Sequence, residues 1–135
     1  MSARLPVTEL LVVGLGGAAG AMLRYALTKL AINIPGGSTH WGTLAANCLG
    51  CFAIGLLAGL LSSGLLMSDH HQVAVRTGFL GGLTTFSTFA METVGLASDH
   101  RWSLTLAYAA ANLTLGLLAV VFGLWLGKAI FPTAT

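Results

Sequence analysis

Between Gly42 and Leu61 the chain reads GTLAANCLGCFAIGLLAGLL, without a single charged residue. A transmembrane helix needs about 20 mostly apolar residues, and this stretch supplies them. Two further windows qualify. One runs from about Val7 to Leu30 and includes LLVVGLGGAAGAML before it reaches Arg24; the other runs from Ser103 to Gly127. Charged residues make up 7% of the 135, against roughly 25% in a soluble domain. So few cannot keep a soluble surface wet. The expectation is a single membrane domain over residues 1–135, all-α, with lipid bilayer as its surroundings. The first residues do not read as a secretory signal, because no cleavage region precedes a soluble domain.

A fourth window, Val73 to Ala97, reads VAVRTGFLGGLTTFSTFAMETVGLA. It is long enough to span, yet it carries Arg76, Glu92, many hydroxyls and the adjacent glycines Gly81 and Gly82. Irregular backbone is tolerated at membrane depth only where it is buried in protein or lines a polar cavity. Polar residues inside a span mark a pathway or a site. The pattern therefore predicts four spans, at about 7–30, 42–61, 73–97 and 103–127, with the third broken near its middle. The connections are short: NIPGGSTH is a Pro/Gly turn, SSGLLMSDHH ends polar, and SDHR is tight.

With four spans both termini lie on one side. That side collects Arg4, Arg76 and Lys128; the other collects Lys29 and Arg101, with Arg24 near it. Orientation normally follows a clear Lys/Arg excess in cytoplasmic loops, and none exists here. Either a few residues decide orientation, or the chain inserts both ways and two antiparallel copies pair as a dual-topology homodimer. The second case makes an inverted repeat from two chains. A net charge of +2, dispersed, gives no basic face for nucleic acid.

Glycines at i, i+4 let helix backbones approach closely. Gly16 and Gly20, Gly55 and Gly59, and Gly123 and Gly127 have this spacing. Gly14, Gly16 and Gly20 imitate a dinucleotide fingerprint, but no strand precedes them. Cys48 and Cys51 form a C-x-x-C inside an apolar run, with no second pair and no nearby His, and read as packing residues. An enzyme, such as a membrane thiol oxidoreductase, is not expected. The adjacent His70 and His71 lack supporting ligands and read as loop polarity.

The chemistry concentrates in GGLTTFSTF, Gly81 to Phe89. Paired glycines and hydroxyls weaken a helix, and unwinding frees backbone carbonyls, hard ligands for a small cation. Gly81 and Thr84 either bind a cation by backbone oxygen or sit in a kink filled by Thr side chains bonding back to the backbone. Phe86 and Phe89 share a helix face. That face also borders Thr85 and Glu92, which argues against lipid exposure. The positive edge of an aromatic ring attracts a small anion without offering it a full charge. Thr43 and Asn47, and Tyr108 and Asn112, are i, i+4 pairs on the second and fourth spans. Asn47 serves either as an interhelical hydrogen bond or as an anion donor through its NH₂. Donors on three helices would form a polar track. Arg24 is either a structural anchor that snorkels or a group that draws anions toward a vestibule.

These residues resemble the Fluc (CrcB) fluoride channels of microbes. The likeness covers essentially the whole chain. It is carried by Gly16 to Ala21 with Arg24 and Tyr25, by Gly42 to Asn47 with Gly50 and Phe52, and above all by GFLGGLTTFSTF from Gly78 to Phe89. The resemblance implies a dual-topology homodimer in the cell (inner) membrane that passes fluoride down its electrochemical gradient and protects the cell from it. It places Asn47, Phe86 and Phe89 in the pore, and Thr43, Thr85 and Tyr108 on the polar track. It matches Glu92 to the family's carboxylate, and Gly81 and Thr84 to a central sodium ion that is not transported. Asn112 departs from the Ser that many members carry; an amide still donates to an anion but is larger. The rival expectation is a four-span dual-topology proton-coupled drug exporter. It requires a membrane-buried carboxylate, for which Glu92 is the sole deep candidate.

Overall fold

The structure is a computed structural model in which residues 6–130 are described; Arg4 lies outside them. The first helix, α1 (Val7–Asn33), begins after Pro6, whose carbonyl accepts the Leu10 N–H at 3.2 Å. It ends because Pro35 forces Ile34 into an extended conformation, ψ 139°. Gly36 follows at φ 74°, and the Gly37 N–H closes a turn on the Ile34 carbonyl at 2.7 Å. Proline then glycine at the two central positions defines a type II turn.

Helix α2 (Thr39–Ser62) closes at Gly64, φ 101°, with Leu65 N–H on Leu60 O at 3.0 Å and Gly64 N–H on Leu61 O at 3.2 Å. That pair of bonds satisfies the last carbonyls in a Schellman motif. The chain then rises through α3 (Asp69–Val73), a π-helical segment (Ala74–Leu80) and α4 (Gly81–Leu83). Helicity stops at Thr84 and Thr85, both extended, and resumes in α5 (Phe86–Ser98). The last helix is α6 (Trp102–Ile130). His100, at φ 58°, makes the turn between α5 and α6.

Among the described residues three helices, α1, α2 and α6, are long and apolar enough to cross a membrane. The 73–97 stretch is instead divided among shorter pieces. Its interruption falls at Thr84 and Thr85, inside the Gly81–Phe89 stretch that the composition marks as weak; Gly81 and Gly82 themselves are helical. Gly82 has a packing role, since a Cβ there would strike the Gly17 carbonyl of α1.

The glycine pairs do what their spacing predicts. Gly55 and Gly59 press on the backbone of α6 at Val120 and Leu124, while Gly123 and Gly127 press on α2 at Phe52 and Leu56. Gly16 and Gly20 seat α1 against the π-helical segment, at Ala74 and Phe79. The outer faces stay apolar: Leu10, Leu11, Leu15, Leu117, Leu118 and Trp125 are all exposed, as surfaces that meet lipid rather than water must be.

Candidate functional site

The break at Thr84 and Thr85 is held by residues distant in sequence. In a continuous helix the Thr85 N–H would serve the Gly81 carbonyl; here it donates to Asn47 Oδ1 of α2 at 2.8 Å. Asn47 Nδ2 donates back to the Thr85 carbonyl at 3.3 Å. The next helix is capped locally. Thr88 N–H donates to Thr85 Oγ1 at 3.3 Å, and Thr85 Oγ1 donates to Thr88 Oγ1 at 3.0 Å, the hydroxyl serving an N–H left orphaned at a helix start. Thr84 Oγ1 bonds back to the Leu80 carbonyl at 3.0 Å. Arg24 Nε donates to the Gly82 carbonyl at 3.1 Å. This bond ties Arg24 of α1 to the end of α4.

From Asn47 a row of polar contacts continues across α2, α5 and α6. Asn47 Nδ2 donates to Asn112 Oδ1 at 3.1 Å, and Asn112 Nδ2 donates to the Tyr108 carbonyl at 3.1 Å. The Tyr108 hydroxyl donates to Glu92 Oε2 at 2.6 Å. Thr43, Tyr108 and Asn112 are buried, and Thr43 sits beside the Tyr108 hydroxyl. The residues expected on a polar track are thus brought together. Both N–H bonds of the Asn47 amide are already committed, one to Thr85 and one to Asn112.

The two phenylalanines part company. Their ring centroids are 5.7 Å apart, tilted by 60°. Phe89 is buried against Tyr108, 5.6 Å away, whereas Phe86 is 77% exposed in the single chain. The shielding expected for Phe86 is therefore absent within one copy, because it stands on the first turn of α5 with no helix of its own chain over it.

Asn47, Gly81, Thr84, Phe86, Phe89 and Asn112 line one open groove of about 410 Å³. Arg76 and Cys51 line it too. Tyr108 opens instead on a second cavity of about 430 Å³ with His40, Trp41 and Arg101, where the His40 ring meets Tyr108 edge-on at 5.1 Å. Asn112 in the groove thus contacts the backbone of Tyr108, whose side chain lines the second cavity. In the sequence Arg76 reads only as a charge, and no motif marks His40. The Thr88 cap was not expected either. The hydroxyl pair Thr85 and Thr88, three apart at a helix start, was the available signal.

No cluster of three His, Cys, Asp or Glu side chains occurs among the described residues; backbone oxygen is another class of ligand for a hard cation. Gly81 and Thr84 can offer it. The Thr85 N–H has left the first and the Thr88 N–H has left the second. A freed carbonyl is a hard ligand suited to a hard cation.

Fold and groove together define a multi-pass helical membrane protein with a polar chain built across three helices. The family described as CrcB-like protein, Camphor Resistance (CrcB), matches residues 11–124. The chain is 39% identical over 122 residues to a fluoride-specific ion channel FluC of Chloroflexus aurantiacus, covering 90% of this chain and 97% of that one. It is 39% identical over 118 residues to the protein of that name from Nitrosococcus oceani, covering 87% and 94%. With the one from Dehalococcoides mccartyi it shares 40% over 120 residues, covering 89% and 92%. The chain belongs to the CrcB family, whose named relatives are channels and not enzymes.

Proposed function

We propose that this chain is a subunit of a fluoride-selective channel that lets fluoride leave the cell passively, down its electrochemical gradient, and so limits fluoride toxicity. The observation that carries this reading is the row of polar groups from Thr85 through Asn47 and Asn112 to the Tyr108–Glu92 pair, beside two phenylalanine rings. The names of the relatives support it. Fluoride is small and strongly hydrated. A path for it must offer N–H, O–H and ring-edge donors in place of water, yet hold the ion weakly enough to release it. Amides, hydroxyls and ring edges meet that requirement better than a fixed cationic side chain would.

In this reading α3, the π-helical segment, α4 and α5 make the fourth crossing of the cell (inner) membrane. A second copy of opposite orientation covers the open groove and Phe86. Gly81 and Thr84 hold a structural sodium ion through backbone oxygen; it supplies fixed positive charge beside the break. This assignment also answers an energetic need, since an unsatisfied carbonyl in a bilayer costs several kcal/mol.

Purified protein in liposomes tests the proposal. Fluoride efflux with chloride retained is the expected result, and Phe86→Ile should impair it. Chloride flux equal to fluoride flux would sink the channel assignment.

A further inference from the structure

The orientation of four polar groups in the groove is fixed by the backbone. Thr85 N–H can only donate, so the Asn47 atom facing it at 2.8 Å is the carbonyl oxygen. Asn47 Nδ2 must then face Asn112, 3.1 Å away, and that partner must be an acceptor. The Asn112 atom there is Oδ1, which turns its Nδ2 onto the Tyr108 carbonyl at 3.1 Å. Turning over either amide would set donor against donor or oxygen against oxygen at two contacts at once. The chain therefore has one self-consistent arrangement, in which a carbonyl oxygen of α6 occupies the N–H of Asn47.

We propose that Asn112 is a positioning residue that holds the Asn47 amide and competes with fluoride for it. The inference rests on the channel reading above. Asn47 gives one N–H to the Thr85 carbonyl and the other to Asn112 Oδ1; fluoride can take the second only by displacing that oxygen, the negative end of a dipole that stands where the anion would bind. Asn112 moves aside as the ion arrives and returns when it leaves. It sets how tightly the ion is held at this point. Nδ2 of Asn112 has a second N–H beyond the one given to Tyr108, which allows the displaced side chain to contact the same ion.

The test is the fluoride concentration at half-maximal flux in reconstituted full-length protein. Asn112→Ala and Asn112→Ser both remove the competing oxygen; a serine hydroxyl is too short to replace it. Each is expected to lower the half-saturating concentration by roughly fivefold, the scale of one net hydrogen bond. A merely structural residue would change the fraction of active protein and leave that concentration alone. An unchanged or raised value overturns the proposal. Should neither variant fold, the wild type still decides: on fluoride titration the side-chain amide NMR signals of Asn47 and Asn112 should move together, and movement of Asn47 alone overturns it. Wild-type protein that passes no fluoride would refute the channel reading itself, an outcome distinct from either of these.

Discussion

The backbone N–H of Thr85 donates to Asn47 Oδ1 at 2.8 Å, across 38 positions of sequence. That bond takes the place of one the helix would have made for itself. The interruption is therefore held open by α2, and the residue that holds it is also the one whose amide faces the groove.

Asn47→Leu keeps the branching at Cγ and removes both roles. It leaves the Thr85 N–H and Asn112 Oδ1 without partners, at about 1–3 kcal/mol for each buried group. Expected are a lower thermal midpoint in detergent, followed by size-exclusion chromatography, and loss of fluoride flux. An unchanged midpoint would show that the break does not depend on α2.

Glycine substitutions separate packing from composition. Gly123→Leu sets a side chain against the Phe52 carbonyl, and overpacking of this kind costs about 1–3 kcal/mol or more. Gly14 has open space within 4 Å of where a Cβ would be. Gly14→Ala should therefore elute and melt as the parent does while Gly123→Leu aggregates. Equal behaviour of the two would contradict the α2–α6 contact.

Tyr108→Phe removes the hydroxyl that reaches Glu92 at 2.6 Å and keeps the ring that packs on Phe89. Fluoride flux should fall by roughly tenfold, the scale of a hydrogen bond to a carboxyl group, with chloride still excluded and the melting midpoint lowered because Glu92 loses its partner. Full activity in this variant would remove Tyr108 from the path.

Replacing sodium with N-methylglucamine, a cation too large for a site of backbone oxygens, should reduce flux or dissociate the assembly. Returning sodium should restore it, and potassium should do so less well. Flux that ignores the cation would separate the channel reading from the sodium site.

Much of this architecture can be read from the sequence because bilayer chemistry is blunt. An uncharged run such as Gly42 to Leu61 has few alternatives to a membrane helix, and Gly55, Gly59, Gly123 and Gly127 announce a close contact by spacing alone. The polar residues of α2, α5 and α6 also declare themselves, since each stands out in apolar surroundings. The position of the break is harder to read. Gly81 and Gly82 look like the weak point by local propensity, but Gly82 is small because Gly17 needs the room. The true interruption depends on Asn47, far away in the chain. The tie from Arg24 to the Gly82 carbonyl and the π-helical turn before α4 have the same character: no local pattern encodes them. Phe86 differs again, being exposed within its own chain.

The interruption also has an electrical consequence. At Leu83 one helix ends in carbonyl oxygens, and at Phe86 another begins in N–H groups. Peptide dipoles add along each helix, leaving partial negative charge at the end of one and partial positive charge at the start of the next. Two opposite poles thus stand side by side at one depth, with no ionised side chain needed to create them. Such a junction can face a cation on one flank and an anion on the other, and because its polarity is built from peptide groups, no change of pH can titrate it away.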